Sequence, residues 1–282
     1  MSGIEKSPAL EDWIGRTATE RDTLDPRPAN LMQSILPVGG ELATGDALPP
    51  LWNWLYFHSP QPLDALGRDG HPKKGGFLPP VRLPRRMWAG GRFEFADDLR
   101  IGDDILKQSR ILNVATKSGR TGALCFVTVE HRYVRDDQTI WREEHDIVYR
   151  EDPAPDQPLP APVPAPQDFT DRETITPSIV MLFRYSALTF NGHRIHYDRE
   201  YARNVEGYPD LVFHGPLTAT FLAEFARRRS SGRMSTFKYR AVSPLFDTAS
   251  FGIFLNREDG HTTAWACRPD GHLAMRAEAT FE

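Results

Sequence analysis

Three of the nine histidines in this 282-residue chain crowd one place: His193 and His196 within Tyr185-Ser-Ala-Leu-Thr-Phe-Asn-Gly-His-Arg-Ile-His-Tyr-Asp198, and His214 just ahead of Gly215 and Pro216. Imidazole titrates near neutrality, so a held histidine can move protons as general base or acid. Gly215-Pro216 at the start of an apolar helix leaves a backbone N–H with no bulky side chain before it, which suits an oxygen that gains negative charge. Two alternatives use the same residues. A lone His196 could be a structural histidine bonded to backbone, and His193, His196 and His214 have spacing from which a zinc site could be built.

The elements that must hold these groups follow from pattern. Asp198 is placed to N-cap a short helix over residues 199–204, leaving His196 on the loop before it. From residue 213 a helix is expected, with Pro216 in its first turn, Leu217, Phe221 and Phe225 on one face and Arg227 to Arg229 at its negative end. Strands are expected over residues 236–242, 249–256, 263–268 and 273–281, the last alternating Leu273, Met275, Ala277, Ala279 and Phe281 on one face.

The first part of the chain repeats that order. A helix is expected over residues 48–57, LPPLWNWLYF, then strands near 92–95, 105–114, 123–134 and 139–149, with the basic, proline-rich stretch 79–92 read as loop and turn. Between the two parts, residues 151–167 hold seven prolines in seventeen positions and read as an extended linker. The chain thus divides into 1–150, a linker 151–167, and 168–282. An apolar helix must be enclosed, and a curved antiparallel sheet encloses it economically, so the expected class is α+β, two sheets each wrapped on a central helix, a double hot-dog.

Composition narrows the function. A net charge of −4 offers no footprint for nucleic acid or an anionic membrane. Cys125 and Cys267 lie in apolar runs and are expected as buried small hydrophobes in a reducing cytoplasm. No signal-peptide core follows Met1, and no apolar run reaches the length of a membrane span. G-x-S-x-G, P-loop and G-x-G-x-x-G signatures are absent. Two further readings stay open, a thioesterase using Glu224 and a non-catalytic acyl-binding module.

The stretch from Tyr185 to Leu217 resembles the hydratase 2 motif of MaoC-like dehydratases. With Leu48 to Phe57 and Leu83 to Gly91 added, the whole chain is similar to the double hot-dog group that includes mesaconyl-C4-CoA and itaconyl-CoA hydratases. The resemblance implies reversible addition of water to an enoyl-CoA thioester, a C5 dicarboxylic one giving citramalyl-CoA. It implies His196 as the catalytic histidine and Gly215 as the oxyanion glycine. The family's aspartate falls on Asn191, which can orient a water but cannot take its proton.

Substrate contacts are expected from His193 and His214, from Arg85 and Arg86 toward the CoA phosphates, and from Arg184 and Arg194 toward a free carboxylate. No metal, flavin or nicotinamide is needed, CoA entering only as part of the substrate, and a homodimer is an option. The first part reads as a degenerate copy, since Arg21 to Asn30 carries no histidine where the second part has its motif.

Overall fold

The computed structural model describes residues 9–119, 122–152, 161–258 and 260–282; the middle of the expected linker and the first eight residues lie outside these. In the first half, β1 (Thr17–Thr23) and a short helix α1 (Pro26–Met32) precede four long strands: β2 (Arg85–Phe95), β3 (Asp104–Gly119), β4 (Gly122–Arg135) and β5 (Gln138–Arg150). In the second half, β6 (Asp171–Ile175), α2 (Ile179–Leu188), α3 (Arg199–Asn204) and α4 (Gly215–Arg229) precede β7 (Met234–Ala241), β8 (Phe251–Glu258), β9 (His261–Cys267) and β10 (Leu273–Phe281).

All ten strands form one antiparallel sheet in the order β1-β3-β4-β5-β2-β7-β10-β9-β8-β6. Read outward from the β2–β7 seam, the order is the same on both sides, as the double hot-dog expectation requires. Where two sheets were expected, the seam fuses them into one. Glycines make it possible: a Cβ on Gly90 would lie 2.6 Å from the Tyr239 carbonyl oxygen, and one on Gly91 2.2 Å from the Tyr239 hydroxyl. β2 therefore begins at Arg85, and the loop expected over 79–92 is strand for its second half.

The helix α4 is enclosed as its composition demands. Every residue from Leu217 to Ala226 is buried, Glu224 included, whose carboxylate is held by Arg227 at 2.8 and 2.9 Å. Each fully buried leucine or phenylalanine contributes about 1.5–3 kcal/mol, so this helix is the main apolar anchor of its half. The position of Glu224, buried and ion-paired two turns into the helix, also removes it from the thioesterase reading.

The matching helix of the first half does not form. Residues 48–57 make only a 3-10 turn, Trp52–Leu55, bracketed by left-handed backbone at Leu51 (φ 70°) and Phe57 (φ 61°). Pro49-Pro50 removes two amide donors and Leu51 leaves the helical region, so no α-helical ladder can propagate. The turn is still buried, Leu51 and Trp52 at 1% exposure, and fills the place a helix would take. The edge strands β1 and β6 and the helices α1 and α2 were not expected. Cys125 is buried as expected, while Cys267 is half-buried.

Candidate active site

The motif loop is built from its local chemistry. The Asp198 carboxylate accepts the Tyr201 N–H at 3.0 Å and caps α3, as its position in the sequence implies. Just upstream, residues 194–196 form a 3-10 turn that buries His196, at 6% exposure. His196 Nδ1 lies 2.7 Å from the Val212 carbonyl oxygen. A carbonyl can only accept, so Nδ1 carries the hydrogen and Nε2 presents a bare lone pair. Burial pushes its pKa down to about 4, which keeps the ring neutral at pH 7.

His214 stacks on His196 with ring centres 3.7 Å apart and 19° between planes. Its Nε2 is 2.9 Å from the Ser186 hydroxyl and its Nδ1 has no partner among the described residues. His193 meets His196 edge to face at 5.5 Å. Burial, reinforced by neighbouring rings, holds His193 and His214 well below the usual imidazole range. The three rings brought together by the motif are thus uncharged.

Asn191 turns its Oδ1 back to accept the His193 N–H at 3.0 Å. Its amide NH2, without a hydrogen bond among the described residues, is what it can offer a ligand. Gly215 is the first residue of α4, and a Cβ there would lie 2.8 Å from the Trp88 ring. Glycine is therefore demanded by packing, and its N–H, unpartnered among the described residues, is left at the positive end of a 15-residue helix.

A cavity of 340 Å³ opens beside this loop. Asn191, Phe190, Thr189, Tyr185 and Pro216 line it from the second half, and His71, Asn53, Trp54, Phe57, Lys107 and Tyr133 from the first. The Tyr133 hydroxyl and Trp54 Nε1 donate to the buried Glu143 carboxyl at 2.8 and 3.0 Å, and Asn53 Nδ2 reaches the Tyr133 hydroxyl at 2.7 Å. Burial raises the Glu143 pKa. The aromatic residues of the 52–57 stretch split: Trp54, Tyr56 and Phe57 shape this wall, while Trp52 is core.

His71 is a site residue that reading the sequence missed. The turn Asp69-Gly70-His71 docks on the motif loop through backbone: the Asp69 carbonyl accepts the Arg194 N–H at 2.9 Å, and a Cβ on Gly70 would lie 2.0 Å from the Gly192 oxygen. His71 Nδ1 is 3.1 Å from the Asp69 carboxylate, whose other oxygen accepts the His71 backbone N–H at 3.0 Å. The His71 ring packs 4.4 Å from that of His193. The only sequence signal is an aspartate two residues before a histidine across a glycine, and nothing local places it beside residue 193.

The arginines divide sharply. Arg85 is buried, bonded to Glu206 at 2.6 Å and stacked 5.0 Å over Tyr208, so it is not available to CoA phosphates as expected. Arg194 is likewise taken: it pairs with Asp198 at 2.7 Å, lies 4.3 Å over Tyr201 and donates to the Arg68 carbonyl. Arg184 is exposed on α2, outside the cavity wall. Arg86 is half-buried, on the opposite strand face from Arg85 and the same face as Trp88, and has no carboxylate within 4.0 Å among the described residues. The histidine trio that could suggest zinc is not grouped as ligands. Among the described residues, Asp69, His71 and His193 alone converge, their ligand atoms within 4.8 Å of one another.

The mirrored sheet on one enclosed helix, with a histidine loop at that helix's N-terminus, defines a double hot-dog protein of the hydratase and dehydratase class. A mycobacterial protein described as having a double hotdog fold superposes with a TM-score of 0.57 at 13% identity, over 95% of this chain and 96% of that one. A MaoC-like dehydratase from Phytophthora capsici superposes with a TM-score of 0.73 at 15% identity, over 97% and 98%. The family described as "Hydroxyacyl-thioester dehydratase type 2" matches residues 51–247. The mesaconyl-C(4)-CoA hydratase of Chloroflexus aurantiacus is 44% identical over 94% of this chain and 95% of its own length. The chain belongs to the hydroxyacyl-thioester dehydratase type 2 family and is a hydro-lyase.

Proposed function

We propose that this enzyme adds water reversibly to the double bond of a short C5 dicarboxylic enoyl-CoA thioester, of the mesaconyl-C4-CoA kind, giving a citramalyl-CoA. The observation that carries this reading is the end-to-end similarity to the Chloroflexus hydratase, supported by a small cavity that ends at the motif loop. The His196 Nε2 lone pair accepts a hydrogen bond from the water, and the Asn191 amide donates to its oxygen. As the oxygen gives up a proton and bonds to the β-carbon, the π electrons move to the thioester oxygen, where the Gly215 N–H meets the enolate charge, and the enolate then collapses as the α-carbon takes a proton.

In a mesaconyl-C4 thioester the free carboxylate sits on the carbon that receives the water, so its counter-charge belongs beside the motif. Arg86, free of carboxylates and on the site face of β2, fits that anion or the CoA phosphates better than the ion-paired Arg85 and Arg194. A cytoplasmic location goes with this reading, and a homodimer stays an option for the assembly.

A panel of enoyl-CoA thioesters, followed by loss of the conjugated thioester absorbance, tests this. The kcat/KM for mesaconyl-C4-CoA should exceed that for crotonyl-CoA by tenfold or more, roughly 1.4 kcal/mol of transition-state preference. Equal or faster turnover of crotonyl-CoA would overturn the dicarboxylate assignment and leave the hydratase chemistry in place.

A further inference from the structure

The motif loop lacks a strong base. Asn191 cannot ionise. His196 gives its Nδ1–H to a neutral carbonyl oxygen and stacks on another imidazole, an environment that does little to stabilise an added positive charge. The reaction nevertheless requires a group that takes one proton from water and returns one proton to the α-carbon.

The missing group is in the other half of the molecule. His71 lines the cavity together with Asn191. Its Nδ1–H points at the Asp69 carboxylate at 3.1 Å, leaving Nε2 with the lone pair. Asp69 is fixed from both sides, by the His71 backbone N–H on its carboxylate and by the Arg194 N–H on its carbonyl. No other imidazole of this site is hydrogen-bonded to a carboxylate among the described residues. A carboxylate behind an imidazole fixes the tautomer and stabilises the imidazolium that forms when the ring accepts a proton.

We propose that His71, oriented by Asp69, carries the proton in this reaction, while His196 and Asn191 position the water. The inference rests on the hydratase reading. Nε2 of neutral His71 takes a proton from the water as the oxygen–β-carbon bond forms and the π pair shifts to the thioester oxygen. The imidazolium then delivers that proton to the α-carbon as the enolate collapses, and His71 returns neutral. One water is consumed, one C–O and one C–H bond form, and no other proton donor enters. The half without the histidine motif thereby supplies the base.

The charged and titratable groups facing His71 are Asp69, His193, His196 and Arg86. Burial, then Arg86, lower the His71 pKa, while the donors from His71, aided by Arg86, bring Asp69 below the usual carboxylate range against the opposing effect of burial. The neutral ring is the active base, so kcat/KM falls as pH drops through the His71 pKa. Removing the carboxylate weakens the imidazolium and moves that acid limb to lower pH.

The test uses the full-length enzyme with a thioester that the wild type hydrates, and three variants, His71→Ala, His71→Gln and Asp69→Asn. Both His71 variants should lose about a hundredfold to ten-thousandfold in kcat with KM changed less than about threefold. Asp69→Asn should lose a smaller factor and shift the acid limb downward, a change that a purely structural aspartate would not produce. His71→Gln keeps a polar side chain of similar reach should the alanine variant fail to fold. Retention of more than a third of wild-type kcat by a folded His71 variant overturns the proposal. So does activity lost on chelation together with stoichiometric zinc bound through Asp69, His71 and His193. A wild type that hydrates no enoyl-CoA at all would instead refute the functional reading on which the inference rests.

Discussion

The two halves share one strand order and differ most at their centres. In the second half a 15-residue helix runs buried across the sheet and presents its N-terminal N–H groups to the site. In the first half the corresponding place is filled by a four-residue 3-10 turn with left-handed backbone on either side. A turn has no aligned peptide dipoles to offer an anion, but it takes less space. The cavity lies against it, walled on this side by Asn53, Trp54, Phe57 and Tyr133. The half without the helix thus lines the cavity with side chains, and the half with it brings an unpartnered backbone N–H, that of Gly215, to the motif loop.

The largest expected effect that would break this division is His196→Ala. If the motif half places the water, kcat/KM should fall about a hundredfold to ten-thousandfold, with CD close to wild type and a lower melting temperature, because a buried ring stacked on His214 and bonded to the Val212 carbonyl is removed. A variant within threefold of wild type would remove His196 from the site.

Next in size is the tie between the halves. Arg85 on β2 and Glu206 beyond α3 form an ion pair buried at 5% exposure on both sides. Arg85→Ala leaves the Glu206 carboxylate without its counter-charge and should cost about 3–5 kcal/mol of stability, read as a lower denaturation midpoint. Unchanged stability would mean that the two halves do not depend on this bond. The smallest effect sharpens the contrast between neighbouring arginines. Arg86→Ala should raise KM about tenfold with kcat nearly constant and with weaker effect at high salt, because a ground-state anion contact is lost. An unchanged KM returns Arg86 to a structural role.

The strands were legible wherever one face is buried and the other wet. The alternation of Leu273, Met275, Ala277, Ala279 and Phe281 locates β10, and apart from β2, which starts seven residues before the strand expected near 92–95, the expected core strands of both halves fall within a few residues of those observed. The cap by Asp198 and the helix opening at Gly215 were equally plain, since each rests on a local hydrogen-bonding rule. What escaped were features that local pattern does not encode. β1, TATERDT, and β6, DRETI, carry too few apolar residues to announce themselves as strands. Leu48 to Phe57 has a helix's apolarity, but Pro49-Pro50 and the left-handed Leu51 prevent its hydrogen bonds.

The site shows the same limit. The motif loop could be read, because its histidines are close in sequence. Asp69 and His71 stand more than a hundred residues away from it and become neighbours only when Gly70 meets Gly192. In a loop, Arg85 and Arg86 would be equivalent. Once it is a strand, successive side chains face opposite ways, and one arginine becomes a buried tie while the other faces the site.

The fused sheet also governs how these molecules meet one another. Because β2 and β7 pair across the seam, each half's inner strand is spent within the chain, and among the described residues only β1 and β6 bound the sheet. Unpaired strand edges can recruit strands from other molecules and seed aggregates, and natural sheets blunt them with short length and charge. Both of these are short, and they carry Glu20, Arg21 and Asp22 on one side of the molecule and Asp171, Arg172 and Glu173 on the other. The polar composition that leaves these strands without an apolar alternation is also what makes them poor templates for another chain.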